Sequence, residues 1–171
     1  MDQPAADMIQ IDSQVDEELA AEVDVAQVEA AARRALALVN LSEAVELSIV
    51  VTSDETLREL NRTYRGQDKV TDVLSFGQDG DDLILPPDLP RLLGDVVVAY
   101  PRVVVQAAQA GWTPGDELAW LVIHGVLHLL GYDDETEEGR AEMWALGEQA
   151  LGRSAPVTGG EDATEEAPDE G

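Results

Sequence analysis

Along the chain, hydrophobic positions recur with two different periods, and the switches between them mark out strands and helices. Met8-Ile9-Gln10-Ile11-Asp12 partly alternates and reads as a short edge strand. Asp16 to Asn40 is alanine-rich, opens on Asp16, Glu17 and Glu18 and carries Arg33 and Arg34 in its second half. That charge polarity matches a helix dipole and predicts one long helix. Val45 to Val51 is apolar and β-branched, as a buried strand is. Ser53 is placed to cap a helix from Asp54 to about Asn61, and residues 62–72 read as a polar loop. Val73 to Phe76 is a short strand, residues 77–90 an acidic Pro/Gly-rich loop expected to be mobile, and Leu92 to Ala99 another strand. Pro101 starts a helix that ends near Gly111. Thr113-Pro114-Gly115-Asp116-Glu117 caps a strongly apolar helix, and Glu135 to Leu151 forms a last amphipathic one. Four strands mixed with five helices predict an α+β or three-layer α/β domain over residues 1–151. Residues 152–171 are small, acidic and Pro/Gly-rich and read as a disordered tail.

Charge changes this picture of an ordinary globular domain. The formal net charge is −26, from 36 acidic and 10 basic side chains. A body this acidic should be repelled by bulk nucleic acid and by anionic membranes. One local exception stands out: Arg62, Arg65 and Lys69 fall close together and could hold a phosphate backbone, weakly and with a strong salt dependence. The apolar run Leu118 to Leu130 is too short to span a bilayer, and the first residues hold Asp2 and Asp7 where a signal peptide would be basic. The expected location is therefore cytoplasmic.

The chemistry concentrates in His124-Gly125-Val126-Leu127-His128-Leu129-Leu130-Gly131-Tyr132-Asp133-Asp134. These are the only two histidines in the chain, and they stand four apart, so on a helix they share a face. Gly131 can end that helix, and Asp134 can return a carboxylate as a third ligand. There is no cysteine, so any metal must be held by imidazole and carboxylate. Three protein ligands would leave a position open for water, and His₂Asp ligation suits zinc while admitting other divalent ions. The bland alternative is two core histidines with capping aspartates. His-x3-His with Asp at the tenth position is also a metzincin-like protease spacing. Such proteases carry a Glu base after the first histidine, where this chain has Gly125.

Three further residues have two readings each. Asp72 could orient a water or cap the strand that follows it. Glu117, seven residues before His124 on the same helix face, could hydrogen-bond an imidazole, or be a solvated helix-start carboxylate. Ser75 has no histidine left to activate it as a nucleophile.

Three blocks together resemble the YbeY family of bacterial rRNA maturation endoribonucleases. They are His124 to Asp133, Leu60-Asn61-Arg62-Thr63-Tyr64-Arg65-Gly66-Gln67-Asp68-Lys69-Val70-Thr71-Asp72-Val73-Leu74-Ser75-Phe76, and Leu93-Gly94-Asp95-Val96-Val97. They lie in the family's order, and the resemblance covers roughly residues 8–150. One position departs from it: the third ligand is usually histidine, and here it is Asp134, whose extra negative charge should make the metal a weaker Lewis acid.

The resemblance implies a mixed four-stranded sheet with helices packed on it and a metal site on a helix and turn. It implies a single-strand-specific, metal-dependent endoribonuclease in maturation of the small-subunit rRNA 3′ end and in ribosome quality control. The implied cofactor is one divalent ion, zinc, on His124, His128 and Asp134. Arg65 takes the functional arginine position, where its forked donors suit a phosphate. Expected partners are single-stranded rRNA and the small ribosomal subunit or its proteins, with no membrane. Two rival readings remain: a non-catalytic ribosome-assembly factor with a structural metal, and a metalloprotease.

Overall fold

In a computed structural model of the chain, residues 9–38, 44–66, 72–77, 91–132 and 135–155 are described. Alternation along the strands decides the architecture. In β2 (Val45–Thr52), Val45, Leu47, Ile49 and Val51 turn to one side, and in β4 (Arg91–Ala99) Val96 and Val98 join them. Val97 and Ala99 turn to the other side. A sheet apolar on both faces must be covered on both. β1 (Ile9–Val15) pairs parallel with β2, β2 pairs parallel with β4, and β3 (Val73–Gly77) pairs antiparallel with β4. The order is β1-β2-β4-β3, a mixed four-stranded sheet in an α+β fold with five helices, as the resemblance implied.

The helices are α1 (Val25–Ala37), α2 (Asp54–Arg65), α3 (Tyr100–Ala110), α4 (Pro114–Leu129) and α5 (Glu137–Leu151). The larger core lies on the Val96 side. There Val28, Ala31, Ala32, Ala35 and Leu36 of α1 meet Leu118, Val122, Ile123 and Val126 of α4, with Met143 and Ala150 from α5. The opposite face is thin: Leu57 of α2 packs with Leu74, Val97 and Ala99.

Two sequence expectations are corrected. The acidic triplet from Asp16 does not open a helix. β1 instead continues to Val15, and Asp16 closes it, its N–H donating to the Val51 carbonyl (3.0 Å) and its Oδ2 accepting from Thr52 Oγ1 (2.6 Å). A 3-10 turn at Glu17–Leu19 follows, and α1 starts at Val25, capped by Asp24, whose carboxylate accepts the Gln27 N–H (3.2 Å). The second correction is that α2 does not stop near Asn61. Leu57 and Asn61, one turn apart and both buried, anchor it, and it runs on to Arg65 before Gly66 ends it at φ +71°. Arg62 and Arg65 therefore stand on the last turn of a helix and not in a loop. Residues 78–90, read as a mobile loop, and residues 156–171 of the expected tail lie outside the described residues. Among the described residues, no helix is long and apolar enough to cross a membrane.

Candidate functional site

The helix that carries both histidines is fixed at each end. Thr113 Oγ1 accepts the Asp116 N–H (3.1 Å), and Pro114 occupies the first turn, where its missing N–H costs nothing. At the other end the Tyr132 N–H reaches back to the Leu127 carbonyl (3.1 Å) and Gly131 N–H to the His128 carbonyl (3.0 Å). This Schellman-type closure needs a left-handed residue, and Gly131 supplies it at φ +106°. Between the ends, ten of the sixteen residues of α4 are buried.

His124 and His128 share a face of this helix, His124 half-buried and His128 exposed in the last turn. A cleft of about 240 Å³ is lined, among the described residues, by His128 and by Val73, Leu74 and Ser75 of β3. Two imidazoles one turn apart, one of them lining a cleft, are a donor pair that fits a transition-metal ion. Asp134 lies outside the described residues. Among the described residues, no group of three His, Asp or Glu side chains could hold a metal. Arg65 ends α2, and its side chain lies outside the described part, as does Lys69.

Gly125, between the histidines, is dictated by packing. A Cβ there would stand 2.6 Å from Val96 Cγ1 and 3.1 Å from Ser75 Oγ. Val96 is fully buried and β-branched, so it cannot turn aside cheaply. The missing side chain lets α4 lie close on β3 and β4, where Ser75 Oγ donates to the Gly125 carbonyl (3.2 Å). A glutamate in the protease's general-base position would not fit.

Glu117 is neither of the things expected of it. It is only 7% exposed, and its Oε1 accepts from Trp112 Nε1 (2.8 Å) rather than from an imidazole. Burial pushes its carboxyl up to about 7; the Trp112 hydrogen bond opposes that shift, and the charge of Asp72 adds to it. Asp72 sits where β3 begins. Its carbonyl accepts the Ala99 N–H (2.9 Å) and its Oδ2 accepts from Gln106 Nε2 (3.3 Å). The signal for the Glu117 contact was in the sequence: a tryptophan five residues away, whose indole N–H needs an acceptor once buried.

The chain is thus a four-stranded α+β domain with two imidazoles on one face of a largely buried helix, and His128 lines a cleft beside the edge strand β3. The family model described as Endoribonuclease YbeY matches residues 10–155, and the chain belongs to that family. It is 48% identical over 146 residues to the Endoribonuclease YbeY of Roseiflexus castenholzii, covering 84% of this chain and 92% of that one. To the Endoribonuclease YbeY of Chloroflexus aurantiacus it is 48% identical over 134 residues, 77% of this chain and 84% of that one. To that of Geobacillus thermodenitrificans it is 43% identical, over 71% and 80% of the two chains. A solution structure from Thermotoga maritima is also similar, with 26% identity, a TM-score of 0.49, and 84% of this chain and 90% of that one covered.

Proposed function

We propose that the chain is a single-strand-specific, metal-dependent endoribonuclease acting in maturation of the small-subunit rRNA 3′ end and in ribosome quality control, in the cytoplasm. One observation carries the reading beyond the family: both imidazoles lie on one face of α4, and His128 opens onto the cleft beside β3. His124, His128 and Asp134 would hold one divalent ion, zinc by the chemistry of the donors. Bound there, such an ion lowers the pKa of a water and neutralises charge growing on the phosphate. The chain's own residues do the rest. Arg65 donates its forked N–H groups to the non-bridging phosphate oxygens and orients the scissile bond. A strand with unpaired bases would lie in the cleft beside β3. Gly125 leaves the usual protease base without a seat, which disfavours peptide hydrolysis.

The net charge of −26 favours a second reading, a ribosome-assembly factor whose metal only supports the fold, because so acidic a body binds RNA poorly unaided. Docking on a basic ribosomal protein would bring either version to its RNA. Cleavage of a single-stranded rRNA 3′ fragment, with added zinc, separates the two. We expect wild-type protein to cut and Arg65→Ala to lose cutting by 100-fold or more (roughly the scale of one transition-state donor) with unchanged metal content. Equal cutting by both proteins would remove Arg65 from the mechanism. No cutting by either, even with small subunits added, would leave the assembly factor.

A further inference from the structure

One face of α4 carries more than the two histidines. Trp120, His124 and His128 follow one another at four-residue steps, and Glu117 precedes them on the same side. Exposure rises along this row, from Glu117 and Trp120, both buried, through half-buried His124 to exposed His128. The indole of Trp120 meets the imidazole of His124 nearly edge to face, with ring centres 5.0 Å apart and planes at 72°. A histidine's ring torsion is a broad, soft coordinate, so a helix alone does not fix the direction in which its nitrogens point. A neighbouring ring that cannot itself move can do so.

Trp120 is such a ring. Trp144 of α5 stands against it at 4.9 Å and 72°, and Trp112 at 6.4 Å and 64°. These are all three tryptophans of the chain. Gly147 makes the contact with α5 possible, because a Cβ there would lie 2.8 Å from Trp120 Cζ3 and 3.0 Å from Cη2. Trp112 is tied in turn by its hydrogen bond to Glu117 (2.8 Å). Arg153 lies over its ring at 5.3 Å while pairing with Asp116 (2.8 Å).

We propose that Trp120 is a positioning residue for the metal-binding imidazole of His124, held in its own orientation by Trp112, Trp144 and the gap at Gly147. The inference rests on the metal reading above and adds to it the side chain that sets the ring's direction. Metal-binding histidines are normally oriented by a second layer of partners, whose loss weakens metal affinity by about 10–100-fold. Here part of that layer is an aromatic face.

The test is zinc affinity, measured against a competing chelator, in full-length wild type, Trp120→Phe, Trp120→Leu, Gly147→Ala and His124→Ala. Phenylalanine keeps a ring beside His124, and leucine fills space without one. We expect Trp120→Leu to bind zinc about 10–100-fold more weakly and Trp120→Phe to stay within about threefold of wild type, although both lose stability. Gly147→Ala, which presses on the Trp120 ring from behind, should weaken zinc several-fold and decides the matter should Trp120→Leu fail to fold. Wild-type affinity in Trp120→Leu and Gly147→Ala, or equal weakening in Trp120→Phe and Trp120→Leu, would overturn the positioning role. Zinc binding that is absent from wild type, or unchanged in His124→Ala, would instead overturn the metal reading itself, and this inference with it.

Discussion

Helices α4 and α2 each present residues of interest near their C-terminal ends, but they are held by opposite means. Helix α4 is buried along ten of its sixteen residues, and no side chain fits at Gly125. Helix α2 buries Leu57 and Asn61 and leaves Arg58, Glu59, Arg62, Thr63 and Tyr64 exposed. Its ends are secured by local bonds, Ser53 Oγ accepting the Thr56 N–H (3.2 Å) and Gly66 turning left-handed. Side chains on α4 are positioned by the whole core. Those at the end of α2 stand on an exposed turn, where Arg62 pairs with Glu59 (3.1 Å). The proposed imidazole pair would gain from the first arrangement, because metal binding demands fixed geometry.

The sharpest way to break this contrast is Gly125→Val. It should cost at least ~3 kcal/mol, the upper end of ordinary overpacking, read as a lower midpoint in urea. Adding Val96→Ala should recover part of that loss, since Val96 Cγ1 is the nearest obstacle. Additive losses would mean that α4 does not lie on β4 as closely as described.

Glu117 tests the buried end of the same helix. Its carboxyl is raised in the fold to about 7 from an ordinary 4.5, so the folded protein holds the proton more tightly than the unfolded chain. The stabilising contribution is therefore complete below about pH 4.5 and is lost as pH rises through about 7. Glu117→Gln keeps an acceptor for Trp112 and cannot ionise. It should match wild type near pH 4.5 and exceed it by ~2–3 kcal/mol at pH 8 in thermal or urea unfolding. A difference independent of pH would show that the carboxylate is not desolvated.

The smallest effect belongs to α2. Ser53→Ala removes its N-terminal cap and should cost ~1 kcal/mol, the usual value of such a cap. Because α2 has little core of its own, amide exchange should quicken through its first turns and hardly change in α4. Uniform quickening in both helices would erase the distinction drawn between them.

These two helices also explain what the sequence could and could not tell. Helix α4 was legible because its signals agree: Thr113 as cap, Pro114 in the first turn, an apolar run, and Gly131 to end it. Helix α2 runs beyond the expected Asn61 because Leu57, Leu60 and Tyr64 recur at helical spacing, and Tyr64 meets Phe76 with ring centres 5.4 Å apart. That row is thin and set among charged and polar residues, which hides it. Asp16 misled for a different reason. Acidic residues ahead of an alanine-rich run look like a helix start, yet this carboxylate is taken by Thr52, 36 residues away, a contact no local pattern encodes. At the site, the histidine spacing was plain in the sequence. The row of rings behind His124 was not, since Trp112 and Trp144 reach Trp120 only through tertiary packing.

Arg34 on α1 donates from Nε to the carbonyl of Ala150, 116 residues later. The helices that cover much of the apolar face of α1, α4 and α5, are likewise encoded far downstream, and so is β4, the strand that links β2 to β3. On a ribosome that adds about 5–20 residues per second, an interval of this length lasts on the order of ten seconds. Throughout it the nascent chain displays Ala31, Ala32, Ala35 and Leu36 beside two parallel strands that have no third partner. The core around α1 therefore closes late in translation, and the strong negative charge of the growing chain opposes association with its neighbours until it does.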